Sequence, residues 1–196
     1  MTISDLLEVA SNEAMRTQPD IQARWVAHVT RFATVFGMAL IRPGDTRIDM
    51  LLRSLEDERM ARQEGPKKDQ VDFAFDLQVS LSNAWMLSTY DALAAIRPER
   101  RTAKSQALYA KAKLVRVPTA KAEIANDRGL KGPLSLKPLG GPVAEAEEYI
   151  KGEYRMPTGL DVTTGSYRWF PFDVALNDHV WISRRELSDE FLALFD

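Results

Sequence analysis

From Ile21 onward the apolar residues fall at Ile21, Trp25, Val29, Phe32, Phe36, Ala39 and Leu40, in steps of three and four. That spacing keeps one stripe of a 3.6-residue helix turned inward, and a stripe this wide must be covered by other helices. A shorter amphipathic helix precedes it over residues 3–18, with Ile3, Leu6, Leu7, Ala10 and Ala14 on one side, and ends before Pro19. Arg42-Pro43-Gly44 stops the second helix, and Asp45 caps a third through about Arg62 with Ile48, Leu51, Leu52 and Leu55 inward. A loop is expected from Gln63 to Asp69.

The next stretch reads two ways. Val71, Phe73, Phe75, Leu77, Val79 and Leu81 alternate like a half-buried strand, whereas Trp85, Met86, Tyr90, Leu93 and Ile96 keep helical spacing, and no Gly or Pro separates the two. One long helix is the favoured reading, ended by Pro98. Thr102 caps a further helix from Ala103 to about Val115, with a break at Pro118. Four glycines and three prolines between Gly129 and Pro142 mark an irregular loop, and Ala144 to Tyr149 is expected to form a short helix.

Towards the end, Tyr167 to Val174 and His179 to Ile182 are aromatic and β-branched and flank Ala175-Leu176-Asn177-Asp178, a hairpin connection. Pro171 suggests an edge strand. Ser183-Arg184-Arg185-Glu186 matches a capping box, followed by Leu187, Phe191, Leu194 and Phe195 at helical spacing. The expected architecture is mainly α: a bundle of five or six helices over residues 1–128, a Gly/Pro-rich loop over 129–142, and a C-terminal hairpin and helix over 143–196 packed on the bundle as one domain.

Composition enters as exclusion. With no cysteine in 196 residues, disulfides, thiolate nucleophiles and cysteine-ligated metals are closed. His28 and His179 are the two histidines, so a His-rich metal centre is not expected, and neither is any cofactor. Phosphate-loop, dinucleotide, zinc-hydrolase and serine-hydrolase motifs are all missing. Glu145, Glu147 and Glu148 read as a solvated run. The start of the chain does not resemble a signal peptide, and the apolar run from Phe32 to Ile41 is too short to span a bilayer, so a cytoplasmic protein without a membrane partner is expected.

Charge is segregated. Residues 1–96 carry 10 basic and 14 acidic side chains, residues 97–137 carry 11 and 3, and residues 138–196 carry 5 and 11. The basic middle includes Arg100, Arg101, Lys104, Lys111, Arg116 and Lys121, which can track phosphates with Tyr109 available for stacking, or be neutralised by the acidic flanks. Arg184 and Arg185 stand in the first turn of a helix, where the dipole disfavours cations. They are expected to hold an anion together, either a ligand or an internal acid such as Glu123 or Glu145.

Two resemblances bear on function. Arg24-x3-His28 is similar to the Arg-x4–6-His motif of the helical HEPN ribonucleases, one residue short and with Trp25 in place of a polar residue. Leu81-Ser82-x2-Trp85, Tyr90-Asp91, Val115-Arg116-Val117-Pro118-x2-Lys121-x-Glu123 and Ile182-Ser183-Arg184-Arg185-Glu186-Leu187-Ser188-Asp189 resemble an uncharacterised group of small bacterial helical proteins. That resemblance implies a bacterial-type helical fold with these polar positions as candidate site residues. The leading expectation is a non-enzymatic binding or adaptor protein that engages nucleic acid or an acidic protein surface through residues 97–137. The alternatives are a metal-independent HEPN-like ribonuclease and a self-assembling structural subunit, a homo-oligomer.

Overall fold

A computed structural model describes residues 2–37, 40–64, 74–136 and 146–196. Among them the helices are α1 (Ile3–Thr17), α2 (Pro19–Phe36), α3 (Pro43–Glu64), α4 (Ala74–Ala95), α5 (Ala103–Lys121) and α6 (Arg184–Leu192). The strands are short: β1 (Ser135–Leu136), β2 (Glu147–Glu148), β3 (Thr158–Leu160), β4 (Tyr167–Trp169), β5 (Phe172–Asp173), β6 (Asp178–His179) and β7 (Ile182–Ser183). The fold is mainly α, as the periodicity predicts.

Helix α2 turns Trp25, His28, Phe32 and Phe36 into the core. It ends earlier than expected, because Gly37 adopts φ 73° and its N–H closes on the Ala33 carbonyl, a left-handed cap that Arg42-Pro43-Gly44 does not supply. Helix α3 starts at Pro43, so Asp45 lies inside the first turn and accepts from the Arg42 N–H at 2.8 Å. The expected loop from Gln63 lies mostly outside the described residues.

The strand alternative for residues 71–81 fails from Ala74 onward: the chain there is α4. The helix buries Gln78, Ser82, Trp85 and Thr89, which leaves Leu77 on the outer face. Val71 to Phe73 are outside the described residues. Thr102 caps α5 as expected, through a reciprocal pair with Ser105. The break at Pro118 does not occur. Pro118 removes one backbone donor, that to the Leu114 carbonyl, yet the helix runs on to Lys121, where Ala122 closes it with a left-handed cap.

The expected helix over Ala144 to Tyr149 is also corrected. Glu147 and Glu148 form β2, antiparallel to β1, and the Tyr149 N–H continues the pairing to the Leu134 carbonyl. Ala144 and Glu145 are outside the described residues.

The C-terminal hairpin exists, and one register carries it: Arg168 faces Ser183, Trp169 faces Ile182, Phe172 faces His179 and Asp173 faces Asp178. Pro171 sits at the interruption, where its carbonyl accepts from Val180 N–H. β4 is not an edge, because β3, which the periodicity did not reveal, pairs with its other side, whereas β5, which follows Pro171, pairs with β6 alone and is an edge strand.

One core joins the two parts of the chain. Trp25, Phe32, Leu52, Trp85, Leu93 and Val115 from the helices pack with Trp169, Ile182, Leu187 and Phe191. Ile124, Tyr154 and Phe172 form a small second cluster. Helix α1 departs from expectation, because Ala14 is buried but Ile3, Leu6 and Leu7 are exposed, Ile3 by 74%. It is held at its far end, where Met15 joins the core and Gln18 Nε2 donates to Asp57. No described helix is long and apolar enough to cross a membrane.

Candidate functional site

The two arginines that open α6 do not face solvent together. Arg184 is fully buried and clasped by α3: Nε and Nη2 donate to Glu56 at 2.8 and 2.6 Å, and Nη1 donates to Asp49. Arg185 donates through Nε to Glu56 at 2.7 Å and through Nη2 to Asp57 at 2.6 Å. The internal-acid alternative is therefore the arrangement formed, with Asp49 and Glu56 in place of Glu123 or Glu145. Glu123 pairs instead with Lys151 at 3.5 Å, and Glu145 lies outside the described residues.

The α3 acids were missed because hydrophobic periodicity was read on a helix whose buried face is charged. Asp49, Arg53, Glu56 and Arg59 are spaced four, three and three apart, one stripe of the helix, and all are buried. Arg53 bonds Asp49 at 2.9 Å, Ser188 at 2.8 Å and Asp189 at 2.6 Å, while Trp25 Nε1 donates to Asp49 at 2.7 Å. Burial opposes the charge on Asp49, but Arg184 and Arg53 overcome it and hold its carboxyl below the usual range. Arg59 donates to Gln78 at 2.6 Å, and Gln78 donates to the Gly165 carbonyl.

Gly165, at φ 68°, lies where a Cβ would come within 2.6 Å of the Glu56 carbonyl oxygen, so the loop before β4 rests directly on the α3 backbone. This close approach delivers Ser166, whose Oγ accepts from the Arg185 N–H at 3.0 Å. The capping box at Ser183 is thereby corrected. Ser183 is the residue preceding the helix, but its Oγ makes no cap bond and is buried without a partner, because its backbone belongs to β7 and Ser166 occupies the helix end.

Most of the basic middle segment is spent inside the molecule. Arg100 donates to the Phe36 carbonyl at the end of α2, and Arg101 donates to the Ala94 and Ile96 carbonyls at the end of α4. Cations are favoured at those negative helix ends. Lys104 donates to the Asp196 carbonyl at 2.8 Å and Lys111 to Glu190 at 2.5 Å, so both lysines fasten the C-terminal end of the chain. Tyr109 stacks on Tyr90 with ring centroids 5.4 Å apart, between Arg101 over its own ring and Arg116 over the Tyr90 ring. Asp91 beside it is exposed. Trp85 is buried beneath the Arg184 guanidinium.

Lys121 is different. It is exposed at the end of α5 and lines a cleft of about 450 Å³ with Asn83, Thr158, Tyr167 and Arg155. Arg155, also exposed, is a residue that the charge pattern did not single out. Neither cation has an ion-pair partner among the described residues. Among the described residues no acidic side chain lines this cleft. Glu147, Glu148 and Glu153 line a neighbouring hollow on the other side of Tyr154 and Arg155. Trp169 Nε1 donates to Asn83 Oδ1 at 2.9 Å, which fixes the amide and leaves its two N–H donors uncommitted. The Tyr167 hydroxyl lies beside that of Thr158, and burial raises its pKa, so it stays protonated at neutral pH.

His28 is buried among Trp25, Phe32, Phe191 and Phe195, and burial pushes its pKa down to about 4. Arg24 pairs with Asp196 at the surface. The two residues of the ribonuclease-like motif therefore do not form a shared site. Among the described residues no group of three or more acids and histidines is placed to hold a metal.

No protein-family model, curated protein or solved structure matches this chain.

Proposed function

We propose that this is a non-enzymatic, cytoplasmic binding protein for an anionic partner, and that the anion seats on Lys121 and Arg155 rather than along the whole basic segment. The observation that carries this reading is the contrast between these two cations and the six candidate cations Arg100, Arg101, Lys104, Lys111, Arg184 and Arg185. Arg100, Arg101, Lys104 and Lys111 are engaged with backbone carbonyls or Glu190, and Arg184 and Arg185 with carboxylates, whereas Lys121 and Arg155 share one acid-free cleft. Two cations in a cleft that also presents amide and hydroxyl donors are an ordinary means of holding an oxyanion. The test is thermal unfolding with inorganic phosphate at constant ionic strength. Phosphate should raise the Tm of the parent protein and leave a Lys121→Met/Arg155→Met double variant unmoved; equal shifts in both proteins would overturn the assignment.

A second reading, a self-assembling subunit, is favoured by the uncovered apolar residues of α1 and α2: Ile3, Leu6, Leu7, Val9 and Val26. Sedimentation of the parent beside a Leu6→Lys/Leu7→Lys variant tests it. A dimer in the first and a monomer in the second would support it. The ribonuclease alternative has little to rest on, since His28 would have to leave its aromatic enclosure to meet a substrate.

A further inference from the structure

The cleft that holds Lys121 and Arg155 is lined by two unlike sets of groups, and this bears on the ligand. One set is the Lys121 and Arg155 side chains. The other is the backbone of the last turn of α5, residues Pro118 to Ala122. The Pro118 carbonyl accepts from Ala122 N–H and the Ala122 carbonyl from Tyr154 N–H, but no backbone N–H among the described residues reaches the carbonyls of Thr119, Ala120 or Lys121. A helix C-terminus carries partial negative charge, so these acceptors repel a bare anion and favour a hydroxyl donor. The Asn83 amide, the Thr158 and Tyr167 hydroxyls and the side chains of Tyr154, Met156 and Trp169 complete the wall. Most of that wall is hydrogen-bonding surface, with little apolar area for a flat ring system.

Resting on the anion-binding reading above, we infer that the ligand is a phosphorylated sugar or polyol of about monosaccharide size. Its phosphate lies on Lys121 and Arg155, and its hydroxyls meet the free carbonyls of α5 and the Asn83 and Thr158 side chains. The cleft, at about 450 Å³, has the capacity for such a molecule and falls within the usual range of small-ligand sites. The mixed lining also sets the specificity: an anion without hydroxyls loses the second set of contacts, and a sugar without phosphate loses the charge-assisted ones.

Calorimetric titration of the full chain with glucose 6-phosphate, inorganic phosphate and glucose tests this inference separately from the reading beneath it. Glucose 6-phosphate should bind at least about tenfold more tightly than phosphate, and Thr158→Val should narrow that ratio. Lys121→Met should weaken both anions. Equal affinity for phosphate and glucose 6-phosphate would overturn the sugar assignment and leave the anion site standing. No heat from either anion would overturn both. Circular dichroism of each variant confirms that these surface substitutions leave the fold intact.

Discussion

Replacing Arg184 with Met removes the cation from the middle of a dry charge network while keeping much of the side-chain volume. Arg184, Asp49 and Glu56 are each 0% exposed, so water cannot take the place of the lost guanidinium. Asp49 would retain Arg53 and the Trp25 N–H, and Glu56 would retain Arg185, which softens the penalty without removing it. Breaking one partner of a buried ion pair typically costs about 3–5 kcal/mol, a large part of the stability of a domain this size. Guanidinium unfolding followed by far-UV circular dichroism should show a loss in that range at neutral pH. Adding Glu56→Gln to Arg184→Met should restore part of it, because the stranded carboxylate is then gone. Acid should also narrow the gap. The Asp49 carboxyl is held below its unfolded value in the parent, so its contribution is present above that unfolded value and is lost as pH falls through the folded one. A loss under about 1 kcal/mol, or no recovery in the double variant, would refute the view that these charges depend on one another.

His28 gives the chain a second pH dependence of defined sign. Its folded pKa of about 4 lies below the unfolded 6.5, so the unfolded chain takes up the proton first and stability falls as pH drops through that window, by about 3 kcal/mol in all. Unfolding midpoints measured from about pH 7 to pH 4 should fall more steeply in the parent than in His28→Phe; parallel curves would count against the burial argument. At the start of α6, Ser166→Ala should cost about 1 kcal/mol, since Ser166 Oγ accepts from the Arg185 N–H, whereas Ser183→Ala should be near neutral because that hydroxyl has no partner to lose. The opposite ranking in denaturant midpoints would restore the capping box that the local motif suggests.

Helix existence and order were legible in the residue spacing, because a repeat of three and four apolar residues admits few other structures. The stripe from Ile21 to Phe36 and the Thr102 cap both depend on neighbours within a few positions, and both formed. Boundaries were less legible. Gly37 and Pro118 show why: Gly37 closes α2 with a left-handed cap, and α5 tolerates the loss of one backbone donor at Pro118 and runs on to Lys121. Of the candidate site, Lys121 was visible as part of a basic segment, but Arg155 was not, since it stands 34 positions away among acids and only the folded chain brings the two to one cleft.

The sequence alone determined that this chain is a mainly helical bundle closed by a hairpin and a last helix, since hydrophobic period and turn residues act over a few residues. It also excluded cysteine chemistry and the common nucleotide and hydrolase motifs, which require particular residue types. Tertiary structure decided which charges are paid off internally and which remain free. Arg184 and Asp49 are 135 positions apart, and their pairing depends on α6 lying across α3 with Gly165 pressed against its backbone. Electrostatic partners are chosen by distance in space and by the water excluded around them, and neither quantity is written in the order of the residues.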